Sequence, residues 1–502
     1  VASSPPPRLL SAPLLGLAAG LAAYAVLLYI LIGAVPGGSD NSGYFNEARL
    51  FARGRVHTPM RTLAAIPPAD VPYLYVPLGF KPSSGDASQL VPTYPPGLPL
   101  LLVPAARVIG WQHAGDFLLL VHSLAGIALT FALGRLCGLP GPWSLVAAAI
   151  LAASPIYLIT SLQALSDVPA TVWATAAIAA ALKSRDRSGW ALASGACITV
   201  GFLIRPSNFL VALPVLIAAG LSPRRLLLVA LGSMPGIAAW MAINHVAYGD
   251  ALQSGYGALG GEFHSDLVAG TLAFYARWLP LLLSPVVAFA PLILAPSRTP
   301  ARVAAVLLSW AAAFLAFYSA YRWTHEQWWF LRFVLPAAPA LIVGGLAALW
   351  HWLSRGVAGR SPAWAVLLPA LVLAAAVGVE VSQTRPLREA WAIGHGERKY
   401  GRVSRWLESH VPGDSVLMVS QASGALYYFT GFTLLRHDQI TPPVAARIRA
   451  SVQSEKRALY AVLFPFELDA LKRLPCAWTK VGAIDDVSVW RCDWESQGKS
   501  GR

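Results

Sequence analysis

Seven side chains sit where a polytopic chain could do chemistry at a membrane surface: Asp40, Tyr94, Asp167, Arg205, Tyr256, Arg322 and Arg332. Each lies in a connection between long apolar stretches. Asp40 falls in Gly37-Gly38-Ser39-Asp40-Asn41-Ser42-Gly43-Tyr44, directly after the apolar run 9–35. About 20 residues at 1.5 Å rise suffice to cross a bilayer, so that run is long enough. A carboxylate just past its end sits near the membrane surface, where charge costs less than at the bilayer centre. Such a carboxylate is a catalyst or a helix cap, and Asp40 or Ser42 could cap a helix over residues 44–53. Asp167 has the same two readings, because Ser166-Asp167-Val168-Pro169 is also a good helix start. Arg205 precedes Pro206 and could simply end a helix.

The elements that must position these side chains follow from composition. The chain has 502 residues, 56% hydrophobic and 12% charged. A soluble protein carries roughly twice that charge fraction, so this reads as a polytopic membrane protein. The net charge of +14 belongs to basic loops on one side of a membrane. Zinc-finger spacing and a basic recognition helix are both missing, which argues against a nucleic-acid partner. The first apolar run is too long for a signal-peptide core and lacks a clear cleavage site, so it stays a helix.

Ten further spans read as residues 117–136, 143–160, 168–182, 190–204, 209–221, 226–247, 278–295, 303–321, 333–352 and 364–381, giving about eleven. With the N-terminus cytoplasmic, the even-numbered connections hold Arg135; Lys183, Arg185 and Arg187; Arg224 and Arg225; Arg298 and Arg302; Arg355 and Arg360. Basic residues favour the cytoplasmic side, which supports this register. It fails if the short segment 96–109 counts as a crossing, so that segment is interfacial. The seven side chains, with the 244–256 region, then share the opposite face. A membrane-level pocket there is the expectation.

The expected division is a membrane domain, 1–383, whose first external loop, 36–110, carries interfacial helices, and an external α/β domain, 384–502. In the latter, 397–410 reads as an amphipathic helix, and 415–419, 458–464 and 487–492 as strands. Cys137 and Cys197 read as packing residues. Cys476 and Cys492 are symmetric about Ile484 in two strand-like runs, and a hairpin would set them opposite each other. A disulfide and two free thiols both remain open. Gly255-Tyr256-Gly257-Ala258-Leu259-Gly260 fits a dinucleotide fingerprint but follows no strand of a βαβ unit. His325-Glu326 begins a zinc-protease motif, but Trp329 stands where its second His belongs. No Walker A sequence is present. A carboxylate-bound divalent cation stays open as a cofactor, although no clear metal-ligand spacing is seen.

The ordered set Ser39-Asp40-Asn41-Ser42-Gly43-Tyr44, Tyr94-Pro95-Pro96-Gly97, Leu165-Ser166-Asp167-Val168-Pro169, Ile204-Arg205-Pro206, Asn244 with Tyr248-Gly249-Asp250 and Gly255-Tyr256, and Arg332-Phe333-Val334-Leu335-Pro336 covers roughly the first 350 residues. It resembles the GT-C class of glycosyltransferases, with protein O-mannosyltransferases and lipid A aminoarabinose transferases as the nearest types. That resemblance implies a bacterial inner-membrane enzyme with its C-terminal domain periplasmic or extracellular. It implies a polyprenyl-phosphate-linked sugar donor and a lipid, polysaccharide or protein acceptor. Asp40 matches the family's first-loop acid, the general base on the acceptor hydroxyl. Arg205 is the first candidate to stabilise the leaving phosphate, with Arg322 and Arg332 next. Asp167 would position the sugar or orient Arg205, and Tyr94 and Tyr256 complete the substrate-binding set. Two departures stand out: Asn41 follows Asp40 where the family often has a second acid, and Tyr94 stands where some relatives have a basic residue. The competing reading is a transporter or lipid flippase. Its signal would be charges or Gly/Pro breaks at mid-span, and the span centres here are nearly free of charge.

Overall fold

The computed structural model describes residues 12–257, 260–295, 299–356, 363–382 and 384–494. Arg298 and Arg360 of the basic pattern, Ala258 and Leu259 of the glycine motif, the boundary residue 383, and residues 9–11 and 495–502 lie outside these segments.

The chain opens with α1 (Ala12–Leu31), followed by α2 (Ser39–Ala52), a three-stranded sheet of β1 (Thr58–Pro59), β2 (Phe80–Pro82) and β3 (Gln89–Pro92), and α3 (Gly97–Ile109). Then come α4 (Ala114–Leu136), α5 (Gly141–Ala153), α6 (Pro155–Ser161), α7 (Asp167–Lys183), α8 (Gly189–Ile204), α9 (Ala212–Ala219) and α10 (Pro223–Tyr248). The apolar part closes with α11 (Val268–Leu282), α12 (Ala301–Ser319), α13 (Ala338–Gly356) and α14 (Trp364–Ser382). Among the described residues, six helices are long and apolar enough to cross a membrane, and up to eight if each of two bent pairs is one span. All eleven apolar stretches read from the sequence are helical, but those around α7, α8 and α9 are short. In the most apolar windows of α1, α10 and α14 only 17% of residues are buried. An apolar helix with so little of its surface covered by protein needs lipid around it. The chain is a multi-pass membrane protein.

Two spans are not straight. Residues 143–160 bend by 62° between α5 and α6, where Pro155 opens the second helix and Ser154 Oγ donates to Leu282 O at 2.8 Å. Residues 278–295 turn by 115° after α11, where Ser284 caps a 3-10 stretch beginning at Pro285. Proline removes a backbone donor and clashes with the preceding turn, so a helix entering such a site ends there. The expected single span 278–295 is corrected to a broken one.

The C-terminal unit contains α15 (Thr384–His410), β4 (Val416–Val419), α16 (Ser423–Phe429), β5 (Thr433–Arg436), α17 (Pro442–Ser454), β6 (Leu459–Leu463), β7 (Cys476–Ile484) and β8 (Val487–Trp494). Its sheet runs β5-β4-β6-β8-β7; β5, β4 and β6 are parallel, and β8 is antiparallel to both neighbours. The amphipathic helix begins thirteen residues before the expected 397, and β5 and β7 are additional to the expected strands. Cys476 and Cys492 form a disulfide. The hairpin turns about Asp485-Asp486 with an irregularity at Lys480/Gly482, so Cys476 faces Trp494 and Cys492 faces Trp478. The bond is therefore diagonal, not between directly opposed residues as the symmetry about Ile484 suggests.

The first loop is ordered because it shares a core with this sheet. Leu63, Ile66, Leu74 and Phe80 are buried in one cluster with Val416, Met418, Leu435 and Ile448. The other sheet face packs Val403 and Leu407 of α15 and Leu426 of α16 against Leu417, Val419 and Val462. Removing this much apolar surface from water, at about 25 cal/mol per Å², holds a loop of that length in one conformation. The site thus lies between the spans, the first loop and the C-terminal unit. At the other end of α7, α8 and α10, Arg302 and Arg225 lie close enough to Arg185 to add to the lowering of its pKa by burial.

Candidate active site

Asp40 lies in the first turn of α2, not ahead of it. The helix starts at Ser39 instead of Tyr44 because a carboxylate far along the chain caps it. Glu397 of α15 accepts from the Gly38 N–H at 2.9 Å and from Asn41 Nδ2 at 2.8 Å. An anion at a helix N-terminus satisfies free N–H groups and complements the helix dipole. Gly43 lets the aromatic floor approach α2. A Cβ at Gly43 would stand 2.3 Å from the Tyr94 ring and 3.1 Å from Gly79 Cα. With that space open, the Tyr94 hydroxyl reaches Asp40 and donates to Oδ1 at 2.8 Å. Burial, then the Asp40 charge, pushes the Tyr94 hydroxyl well above its ordinary range, which keeps it a donor.

The second carboxylate oxygen of Asp40 accepts from Arg332 Nη2 at 3.1 Å. Arg332 sits in a 3-10 segment, Trp328–Ala337, that leads directly into α13. Its Nη1 lies 3.6 Å from Asp167 Oδ2, and its guanidinium stacks near Trp329 and Phe333. Asp167 opens α7 and is almost fully buried; its Oδ1 accepts from Arg205 Nη1. No side-chain capping bond is made at that helix start. Arg205 has extended backbone, as a residue before proline should, and this turns its side chain out of the end of α8. The four charges therefore alternate in one chain: Asp40, Arg332, Asp167, Arg205. A buried ion pair persists only where partners and further hydrogen bonds offset desolvation. Here one donor remains over, because Arg332 Nε is buried without a partner.

These groups line a cavity of about 1050 Å³. Its walls are aromatic, including Phe202, Trp240, Phe317, Phe330 and Phe333. Asp40 keeps 34% of its side chain exposed, against 2% for Asp167, so Asp40 is the carboxylate that faces the space. Tyr256 lines the cavity with its ring edge-on to Tyr94, 6.3 Å between centroids. Asn244 and Tyr248 hold the framework: Asn244 Nδ2 donates to Ala251 O, and Tyr248 OH to Pro92 O. Of the seven side chains picked from sequence, six line this cavity. Arg322 stands apart, 3.6 Å from Glu262 and stacked on Trp323.

Sequence reading missed Glu397, Gln421 and the aromatic walls. The available signal for Glu397 was Gly394-His395-Gly396 within a helical stretch, since glycine inside a helix marks close backbone approach. A Cβ at Gly394 would be 1.8 Å from Leu31 O, so this glycine is what lets α15 pass against the end of α1. Among the described residues, no three His, Cys, Asp or Glu side chains gather as a metal-ligand set. Asp40 and Asp167 are taken by guanidinium groups instead, and Glu397 by the Gly38 N–H and Asn41.

The fold is that of the GT-C membrane glycosyltransferases. ArnT from Cupriavidus metallidurans superposes in its apo state with a TM-score of 0.59 at 15% identity, covering 95% of this chain and 98% of that one. The Archaeoglobus fulgidus oligosaccharyltransferase gives 0.53 at 13% identity over 90% and 69% of the two chains. The mycobacterial arabinofuranosyltransferase AftD gives 0.52 at 14% over 95% and 40%. No family model and no curated protein matches the sequence.

Proposed function

We propose that this protein is an integral-membrane glycosyltransferase that moves a sugar from a polyprenyl-phosphate donor to an acceptor hydroxyl. The observation that carries the reading is the alternating row Asp40, Arg332, Asp167, Arg205 along one aromatic-walled cavity at the ends of the spans. ArnT bound to undecaprenyl phosphate and the archaeal oligosaccharyltransferase in complex with a dolichol-phosphate share the fold, and both support a lipid-linked donor.

In this mechanism the acceptor hydroxyl approaches Asp40, whose carboxylate is held by Tyr94 and Arg332 with one face open to the cavity. The hydroxyl oxygen attacks the anomeric carbon from the side opposite the phosphate, and its proton passes to Asp40. The bond from the anomeric carbon to the phosphate oxygen breaks, and its electron pair leaves with the lipid phosphate. One attack inverts the anomeric configuration. The departing phosphate already carries negative charge and needs cationic hydrogen-bond donors more than a proton. The remaining N–H groups of Arg205 and Arg332 that face the cavity supply them, pre-aligned by Asp167 and Asp40. Asp167 fixes both guanidiniums. The aromatic walls accept the first prenyl units, and Tyr256 and Tyr94 face the sugar. The face that carries the site is external, the basic end cytoplasmic, and residues 384–494 form an external domain over the site, in a bacterial inner membrane.

The test is transfer from a panel of radiolabelled polyprenyl-phosphate sugars by purified wild type and Asp40→Asn, with lipid, glycan and peptide hydroxyl acceptors. Transfer by wild type and a loss of about 10³-fold in the variant is the expected result. Equal rates in both would move the base elsewhere, and lipid translocation without transfer would replace the reading.

A further inference from the structure

A second cavity, of about 620 Å³, backs onto the first across a thin seam. Gly38 and Glu397 line the candidate active site; Pro36 and Arg398, beside them in sequence, line the second cavity. The seam is pinned by main-chain contacts: Arg398 Nη2 donates to Ile32 O at 2.7 Å, and the Ala34 N–H donates to Asp116 Oδ1 at 2.8 Å.

Four arginines line this cavity. Arg398, Arg402 and Arg405 are spaced i, i+4 and i+7 on α15, which places them on one helix face. Arg49 comes from α2, with its guanidinium 3.4 Å over the Tyr428 ring and a hydrogen bond to Tyr428 O. Against them the lining holds one carboxylate, Asp116, 3.4 Å from Arg398. Asp485 pairs with Arg402 from outside the lining, at 2.9 Å. Among the described residues no carboxylate pairs with Arg49 or Arg405. Burial lowers the pKa of Arg49, with Arg53 adding to the effect. Four like charges around one space, answered by Asp116 in the lining and Asp485 outside it, leave a positive excess that favours an anion. Guanidinium forks match the oxygen geometry of phosphate.

The position selects the kind of phosphate. The cavity opens where the lipid-facing surface stops. On the last turn of α1, Tyr29 is 83% and Ile30 64% exposed; on the last turn of α3, Val108 is 81% exposed. Val35 and Gly110, a few residues past these turns, line the cavity. Trp111, Tyr428 and Phe429 give it an apolar side. Basic pockets at that level suit an anionic lipid headgroup, with the chains left in the bilayer.

We infer that this arginine cavity is a second anion site, separate from the candidate active site, that binds the phosphate headgroup of a membrane amphiphile. It does not rest on glycosyl transfer, and its test does not read transfer. Dioctanoyl phosphatidic acid is titrated onto the detergent-solubilised full chain and followed by native mass spectrometry, with dioctanoylglycerol and inorganic phosphate as the other arms. Wild type binds phosphatidic acid and not the neutral lipid, and equimolar inorganic phosphate does not displace it. Arg402→Gln/Arg405→Gln weakens binding at least about tenfold, as loss of charge-assisted hydrogen bonds should. Arg405→Glu, a change at an exposed side chain, does the same with an unchanged Tm. Unaltered affinity in both variants overturns the site. Displacement by equimolar inorganic phosphate overturns the lipid as its source.

Discussion

Glu397 and Asn41 are 356 residues apart and joined by a 2.8 Å hydrogen bond, with Asn41 Nδ2 donating. Through this contact and the Gly38 N–H, α15 of the C-terminal unit sets the start of the helix that carries Asp40. Glu397→Ala strands two donors at a buried helix start, each loss costing roughly 1–3 kcal/mol. The expected outcome is sugar transfer reduced about 10- to 100-fold, as displacement of a reacting group by a fraction of an ångström would produce. Amide hydrogen exchange over residues 38–46 should speed up while the sheet stays protected. Glu397→Gln keeps a carbonyl acceptor and should recover most of the rate; a Gln variant as impaired as Ala would point to a role for the charge itself.

Arg332 bridges Asp40 and Asp167 with separate nitrogens of one planar fork. Lysine has the charge but not the fork. Arg332→Lys should therefore lower kcat by about 10²-fold, in line with loss of one pre-aligned charge donor, with a smaller change in KM. Arg322→Lys, at a position outside the cavity, should change kcat less than about threefold. Steady-state kinetics on both variants decides whether the two arginines differ as their placement says.

Asp40, Asp167, Arg205 and Arg332 were legible in the sequence because a charge at the end of an apolar span is conspicuous. The alternation of spans then put all four at one end, where the structure brings them into contact. Glu397 was not legible, because in Glu397-Arg398-Lys399 it is one charge among several on a helix that reads as solvated. Nor were the aromatic walls, since Phe317 and Phe333 look like any core residue of a span. The start of α2 was placed five residues late for the same reason as Glu397: its cap arrives from the far end of the chain. The disulfide pairing was open, and the turn falls at Asp485-Asp486 instead of Ile484, which leaves the two cysteines diagonal instead of opposed.

Gly43 tests how closely the aromatic floor must approach Asp40. A methyl at this position meets the Tyr94 ring at 2.3 Å and Gly79 at 3.1 Å, so Tyr94 has to move. Overpacking of that kind costs typically 1–3 kcal/mol. Gly43→Ala should lower Tm and reduce transfer more than Tyr94→Phe does. The Phe variant loses only the hydroxyl donor to Asp40, worth about tenfold. Equal activity of Gly43→Ala and wild type would mean that the close packing does not set the Asp40 geometry.

Glu47 gives a stability test that is independent of transfer. It is buried on α2, with Oε2 lacking a hydrogen-bond partner, and burial holds its carboxyl well above the ordinary range. A folded-state pKa above the unfolded value means that the native chain holds this proton more tightly than the unfolded chain. Stability then falls as pH rises, starting near the unfolded carboxyl value of about 4.3 and continuing until the folded pKa is passed. Glu47→Gln keeps the shape and removes the titration. At pH 4, where the folded wild type holds the proton and most of the unfolded chain does too, the two proteins should melt close together. At pH 8 the variant should melt higher by roughly a few degrees, because the wild type must either bury a charge or retain a proton against the solvent. Thermal unfolding in detergent across pH 4–8 measures this. A constant offset between the two curves would place the effect in packing, whereas a gap that opens with rising pH assigns it to the Glu47 carboxyl.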